Sequence, residues 1–314
     1  MNGGQEQYIR KCNLILANEA GSGLDVSEQK ITFAVKKTDG QTPNTAVIRV
    51  YGLNEDTRNK IQKEYTNVLL QGGYDSNYGI IFTGTAKRVA KGSDNNVSPY
   101  LEIQAADGDT AYNFAVVNAT ISAGASQRDQ IDQVAKVLKT KGVQVGHMEM
   151  DDTQKLPRGK VMYGMGRDYM RQSAASGGAS WTIQDGVVKV IPLTGVLPGQ
   201  AVVLNSRTGL IGRPEQTNTG IKFRCLLNPM IMIGGALQIN EADIQTGQLE
   251  EPPASKDGKT PKDKKELATI EADGFYRVIT LTYVGDNRGK DWYCEGECLD
   301  IDTTVDKKKS VQAN

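Results

Sequence analysis

The chain is 314 residues long, and its 37 lysines and arginines are matched by 37 aspartates and glutamates, so its formal net charge at pH 7 is zero. That length suffices for two or three compact units with apolar cores, while the charge balance denies nucleic acid, anionic lipid and polyanionic substrates their main attraction. No stretch approaches the ~20 continuous apolar residues of a membrane span, so neither membrane insertion nor a specific nucleic acid is expected.

The start of the chain, Met1-Asn2-Gly3-Gly4-Gln5-Glu6-Gln7, has neither the basic nor the apolar region of a signal peptide, which implies assembly in the cytoplasm where the chain is made. Strands are expected at residues 9–16, 31–35, 45–51, 68–72, 80–89 and 100–105. These runs are rich in β-branched or aromatic residues, and glycine, proline or asparagine clusters separate them. Between the third and fourth runs Asn54 can cap a helix. Glu55 and Asp56 sit near the positive end of its dipole, and Ile61 and Tyr65 are spaced to face inward and close one end of a barrel.

From residue 121 the pattern changes. Ser126 followed by Asp129 is a variant capping box, Ile131, Val134 and Leu138 form one apolar face, and Gly142 supplies a stop. A second helix is expected near residues 167–176, ended by Gly177-Gly178, and then a hairpin over residues 180–191 that turns at Asp185-Gly186. Strands return at residues 201–204, 221–227 and 236–239. Residues 247–267, with Pro252, Pro253 and Pro261 among charged side chains, have too little to bury and are expected to be a mobile loop between two neighbouring strands. The last strands are expected at residues 275–284 and 292–301. They are joined by a turn over residues 285–291, and Trp292 is expected to pack on Tyr276 or Val278 of the paired strand.

Candidate chemistry is sparse. His147 is the only histidine, which rules out His-rich metal sites, and no nucleophile motif accompanies it. The four cysteines, Cys12, Cys225, Cys294 and Cys298, are too few for a disulfide scaffold and fit a reducing compartment. Period two puts Trp292, Cys294 and Cys298 on one strand face, where they read as buried thiols without a second ligand pair for zinc. Asp107, Asp109, Asp151, Asp152, Asp300 and Asp302 could bind calcium or form a glycosidase pair, but they lack EF-hand spacing, and turn or cap duty is the simpler role for Asp107, Asp109 and Asp151. Gly21-Ser22-Gly23 and Gly164-Met165-Gly166 lack the rest of a nucleotide fingerprint and read as turns. Met148, Met150, Met162, Met165 and Met170 are either core filling or an adaptable contact surface. Lys307, Lys308 and Lys309 read as a solvated tail. No catalytic, cofactor-binding or metal residue is assigned, and no cofactor.

Several motifs occur in a telling order. Near the start stand Ile31-Thr32-Phe33-Ala34-Val35, Pro43-Asn44-Thr45-Ala46-Val47-Ile48-Arg49-Val50-Tyr51-Gly52-Leu53, Leu70-Gln71-Gly72-Gly73-Tyr74, Phe82-Thr83-Gly84 and Ala105-Ala106-Asp107-Gly108-Asp109. Later come Gly209-Leu210-Ile211-Gly212-Arg213-Pro214, Gly220-Ile221-Lys222-Phe223-Arg224-Cys225-Leu226-Leu227-Asn228-Pro229, Asp273-Gly274-Phe275-Tyr276-Arg277-Val278 and Gly285-Asp286-Asn287-Arg288-Gly289-Lys290-Asp291-Trp292. Together they resemble the baseplate hub of bacteriophage tails, the tail-tube-initiating hub family, over most of residues 8–303.

The resemblance implies an α+β, mainly β fold with two tube-like antiparallel β-barrel domains flanking a small α/β domain. The divisions would be 1–120, 121–195 and 196–303, with the mobile loop at 247–267 in the last and a flexible tail at 304–314. It implies a homotrimer that forms a ring in the virion, nucleates the tail tube and joins it to the spike or tip. The implied partners are the tail tube protein, the spike or tip protein and other baseplate proteins, with the tape measure protein as a further candidate. Such a part is not an enzyme. The alternative is a tail-associated cell-wall hydrolase or carbohydrate-binding module. A lysozyme-like segment or a groove-lining set of aromatics would favour it, and neither is seen.

Overall fold

A computed structural model describes residues 9–18, 20–95, 97–217, 220–239 and 274–301. The loop expected at 247–267, the tail at 304–314 and the chain start therefore lie outside the described residues. In the first third run β1 (Arg10–Ala17), β2 (Gly23–Asp25), β3 (Ile31–Thr38), β4 (Thr45–Tyr51), α1 (Glu55–Glu64), β5 (Asn67–Tyr74), β6 (Asn77–Asp94) and β7 (Ser98–Ala106). Alternation decides their faces. Ile31, Phe33 and Val35 of β3 point the same way as Ala46, Ile48 and Val50 of β4 and Leu101 and Ile103 of β7, and all are buried. Helix α1 starts where the Asn54 side chain accepts from the Thr57 amide at 2.7 Å, and it buries Ile61 and Tyr65 as expected.

The middle of the chain holds α2 (Asp109–Phe114), β8 (Val116–Ile121), α3 (Gln127–Thr140), β9 (Gln144–Met148), β10 (Lys160–Met165), α4 (Gly166–Ser176), β11 (Ala179–Gln184) and β12 (Val187–Pro192). Ser126 and Asp129 form a reciprocal capping box on α3, which buries Ile131, Val134 and Leu138. The hairpin of β11 and β12 turns at Asp185 and Gly186, both at positive φ (55° and 76°), the backbone a two-residue primed turn requires. The boundary expected at residue 120 falls inside β8. That strand spends its hydrogen bonds on β10, so it packs with the middle unit. One apolar cluster runs accordingly from Ala111 to Val190 and includes Trp181.

The last third supplies β13 (Val202–Leu204), β14 (Glu215–Gln216), β15 (Ile221–Leu226), β16 (Ala236–Ile239), β17 (Phe275–Asp286) and β18 (Trp292–Asp300). Strands β16 and β17, which flank the undescribed segment, are antiparallel neighbours. The fold is α+β and mainly β, and its antiparallel pairing dominates as the sequence implied.

Both β-rich regions belong to one sheet, in the order β14-β15-β18-β17-β3-β4-β7-β6-β5-β1-β2. The join is the antiparallel pairing of β17 with β3, from Thr280 opposite Thr38 to Asp286 opposite Thr32. Two long strands change partner along their length at register shifts, where an extra residue bends the strand. β6 pairs with β5 up to Thr85 and with β7 beyond it, and β17 leaves β16 for β3 past the shift between Val278 and Thr280. A single apolar cluster accordingly joins Leu14, Phe33 and Ile48 to Phe223, Tyr283 and Trp292.

Trp292 corrects a sequence expectation. It is 1% exposed, yet Tyr276 and Val278 lie opposite Asp300 and Cys298, at the far end of the hairpin. Opposite Trp292 is Gly285, and its ring meets Phe33 of β3 edge-on with centroids 5.6 Å apart. The residue therefore packs between the two β-rich regions.

Candidate assembly surfaces

Eight consecutive strands, β6-β7-β4-β3-β17-β18-β15-β14, form an antiparallel ribbon whose apolar side faces the shared core. Its other side is mainly polar, broken near the middle by Ala34, Val47 and Val284. Arg88, Glu102, Gln104, Arg49, Lys36 and Thr282 lead into Glu295, Glu297, Lys222, Arg224 and Glu215. Opposite charges meet across strands: Arg49 with Glu102 at 2.9 Å, Arg224 with Glu295 at 3.2 Å and Lys222 with Glu297 at 3.3 Å. Arg49 also lies over Tyr100 and Arg224 over Tyr293, at 4.8 and 3.8 Å from the ring centroids. Exposed pairs of this kind add little stability. They leave a wettable face that is nearly neutral.

The bonds to Gln104 and Arg49 hold the Glu102 carboxyl below its usual range. A groove of about 620 Å³ crosses this face between residues 211–215 and the Thr280, Thr282, Glu295 and Glu297 side chains.

Among the described residues neither end of the ribbon carries a further strand, and α1 lies along part of the β6 end, where Gln62 Nε2 donates to Val89 O at 3.3 Å. Past Thr85, the side of β6 away from β7 carries no strand among the described residues. At the other end β14 is two residues long. Residues 209–211 extend this border, with the Ile211 amide donating to Arg224 O and the Leu226 amide to Gly209 O, both at 2.8 Å. Pro214 then interrupts it, which limits unspecific pairing at an edge.

The middle unit is fixed to this ribbon by a buried polar joint. Asp107, fully buried, accepts from the Asp185 and Gly186 amides at 2.5 and 2.8 Å, which holds the hairpin turn. Lys37 of β3 reaches Asp185 at 2.6 Å. Asn44 accepts from the Thr38 amide and donates to Ile183 O and Gln184 Oε1. Arg277 of β17, 3% exposed, donates to the carbonyls of Pro192, Leu193 and Gly195 and pairs with Asp39.

Burial pushes Asp107 up to about 6, helped by the negative charge of Asp185 and opposed by the two amides and Lys37. Burial likewise lowers Lys189 and raises Asp39. The sequence suggests a local turn or cap role for Asp107, whereas its carboxylate holds a hairpin turn 78 residues away, a partner that no local pattern names.

A second surface lies on the middle unit. Phe114, Val116, Val161 and Tyr163 are 63, 51, 70 and 75% exposed, and the last three share the outer face of the β8 and β10 pair. The alternation of Val161 and Tyr163 with buried Met162 signals it in sequence, over a run too short to stand out.

The residues weighed for chemistry are scattered. His147 Nε2 lies 3.0 Å from Glu149 Oε2 on an exposed strand. Asp109 pairs with Lys87 and accepts from Asn113, Asp151 accepts from the Thr153 amide, and Asp152 accepts from the Arg128 amide. Asp302 lies outside the described residues. Met162 and Met170 are fully buried core residues, and Met148 and Met150 pack at its margin. Cys225, Cys294 and Cys298 are buried with no solvent exposure, and Cys12 is partly covered. Burial raises Cys12 to about 12 and Cys298 higher still. Among the described residues no group of three or more His, Cys, Asp or Glu side chains is placed to hold a metal ion, and no helix is long and apolar enough to cross a membrane.

No protein-family profile and no curated protein sequence matches the chain. Solved structures do. A tail protein from Neisseria meningitidis MC58 superposes with a TM-score of 0.56 at 8% identity, over 93% of this chain and 97% of that one. The prophage MuSo2 43 kDa tail protein from Shewanella oneidensis gives 0.56 at 7% identity, over 92% and 97%. The E. coli c3393 protein, a component of the type VI secretion system with structural similarity to T4 bacteriophage tail proteins gp27 and gp5, gives 0.53 at 9% identity, over 91% and 76%. At such identities the likeness is one of fold, and the fold is that of phage tail proteins.

Proposed function

We propose that this chain is a structural baseplate hub of a phage tail, three copies of which close a ring that starts the tail tube and joins it to the spike or tip. The observation that carries this is the eight-stranded ribbon, made continuous by β17 and β3, apolar on one side, mainly polar on the other and without a further strand at either end among the described residues. A sheet edge binds its like by strand addition, and head-to-tail contacts that close give a ring. Each chain contributes four ribbon strands from either side of the β3 and β17 join, so a trimer presents six similar segments to a sixfold tube. The charge-balanced face would then line the hollow, where a neutral, wettable wall lets cargo pass without sticking.

In this reading the domains are the first tube-like barrel at 1–120, the small α/β domain at 121–195 and the second barrel at 196–303. Within that division β8 pairs with β10, and α2 adds Ala111 to the apolar cluster of the middle unit. Partners are the tail tube protein, the spike or tip protein, other baseplate proteins and the tape measure protein. The place of action is the virion, after assembly in the host cytoplasm. The work needs matched surfaces and no reactive group, so the chain is not an enzyme.

The test is seeding. Purified chain added to tail tube protein held below its spontaneous assembly concentration should shorten the lag and yield tubes carrying the chain at one end. Tubes that grow at the same rate with and without it would defeat the proposal.

A further inference from the structure

Cys225 and Cys294 face each other directly across β15 and β18, with their sulfurs 3.2 Å apart and no solvent exposure on either residue. Two positions along the ladder, the Leu227 amide donates to Trp292 O at 3.4 Å. Because the two kinds of pair alternate in an antiparallel ladder, Cys225 and Cys294 form a hydrogen-bonded pair, whose Cα atoms stand ~5.5 Å apart. That spacing lies within the range disulfides span. Cys298, on the same face of β18, instead lies opposite Ile221 and donates to its carbonyl at 3.3 Å. The juxtaposition is therefore specific to one pair.

We infer that Cys225 and Cys294 are a disulfide-forming site, oxidised by a low-molecular-weight disulfide into a covalent staple between β15 and β18. A thiolate of one cysteine attacks the oxidant and forms a mixed disulfide, and the other cysteine displaces the remaining half. The Cys225 Sγ to Cys294 Sγ bond forms and the S–S bond of the oxidant breaks. The two protein thiols give up two protons and two electrons, and both oxidant sulfurs leave as thiols. The hydrogen bond with Cys294, followed by burial, holds the Cys225 thiol well above its ordinary range, so reaction waits on local opening of the sheet end, and the product once formed is shielded from reductants. The staple would fix the end of the ribbon that carries β14. The inference holds whether or not the chain forms a ring.

The test incubates the whole protein with oxidised glutathione in urea rising to the unfolding midpoint, so that access is not limiting. After return to buffer it is denatured, alkylated and peptide-mapped. The expected result is a cross-linked peptide joining Cys225 to Cys294, with Cys12 and Cys298 alkylated. The oxidised protein should also unfold at higher urea than the reduced one, a difference that Cys294→Ala abolishes. Alkylation of both Cys225 and Cys294 after repeated cycles, or a link from either to Cys298, overturns the inference.

Discussion

Trp292 is held by parts of the chain far apart in sequence. Gly285 lies opposite it, and a methyl group on Gly285 would sit 2.3 Å from the Phe33 ring, so the glycine is what lets the two aromatic rings meet. Truncating Trp292 to alanine should cost ~3 to 5 kcal/mol through the cavity left in the shared core. Urea unfolding measures this, and an unchanged midpoint would mean the ring is not packed as described. Asp107 makes a second residue-scale prediction. Its folded pKa of about 6 lies above the ordinary 3.8, so the stability it contributes is full below the ordinary value and is lost as pH rises through about 6. Over that interval the loss reaches ~3 kcal/mol. Asp107→Asn removes this titration, so the stability of the variant relative to the parent should rise between pH 4 and pH 7. Parallel pH profiles would contradict the buried, proton-holding role. The short-range duty of such residues is written in the sequence, as Asn54, Ser126 and the Asp185-Gly186 turn show. The partners of Trp292 and Asp107 are not, because period two names a face and says nothing about which distant strand covers it.

The same divide holds among the elements. Helices α1, α3 and α4 and the hairpin of β11 and β12 announce their ends through caps, glycines and a primed turn, all local signals. Strand β2 and strand β14 are too short to carry a pattern, and β6 and β17 bend at register shifts that no alternation foretells. The pairing of β3 with β17 joins residues about 250 positions apart, and it decides the whole architecture. Attachment of the middle unit to that sheet depends on the buried joint. Asn44→Ala strips partners from the Thr38 amide and from Ile183 O and Gln184 Oε1. The expected loss is ~1 to 3 kcal/mol. Amide exchange should speed up selectively in the β11 and β12 hairpin while the protection of β4 and β7 stays. Uniform acceleration across the chain would show that the joint is not a separable attachment.

At the scale of the whole molecule, the mainly polar face of the candidate site was legible strand by strand as alternation, but its continuity appears only once β17 lies against β3. Order of motifs pointed to a tail part, and the solved structures with the same fold are tail proteins and a secretion component similar to them. The central claim is that this ribbon closes on itself through its ends. An electron-microscopic reconstruction of the assembled chain at the end of a tail tube tests it most directly. The account predicts three copies in a ring, β14 of each lying beside the 86–94 stretch of β6 in the next, with Arg49, Glu102, Arg224 and Glu295 facing the hollow. A single copy per tube, or a ring in which both ribbon ends stay uncovered, would contradict it.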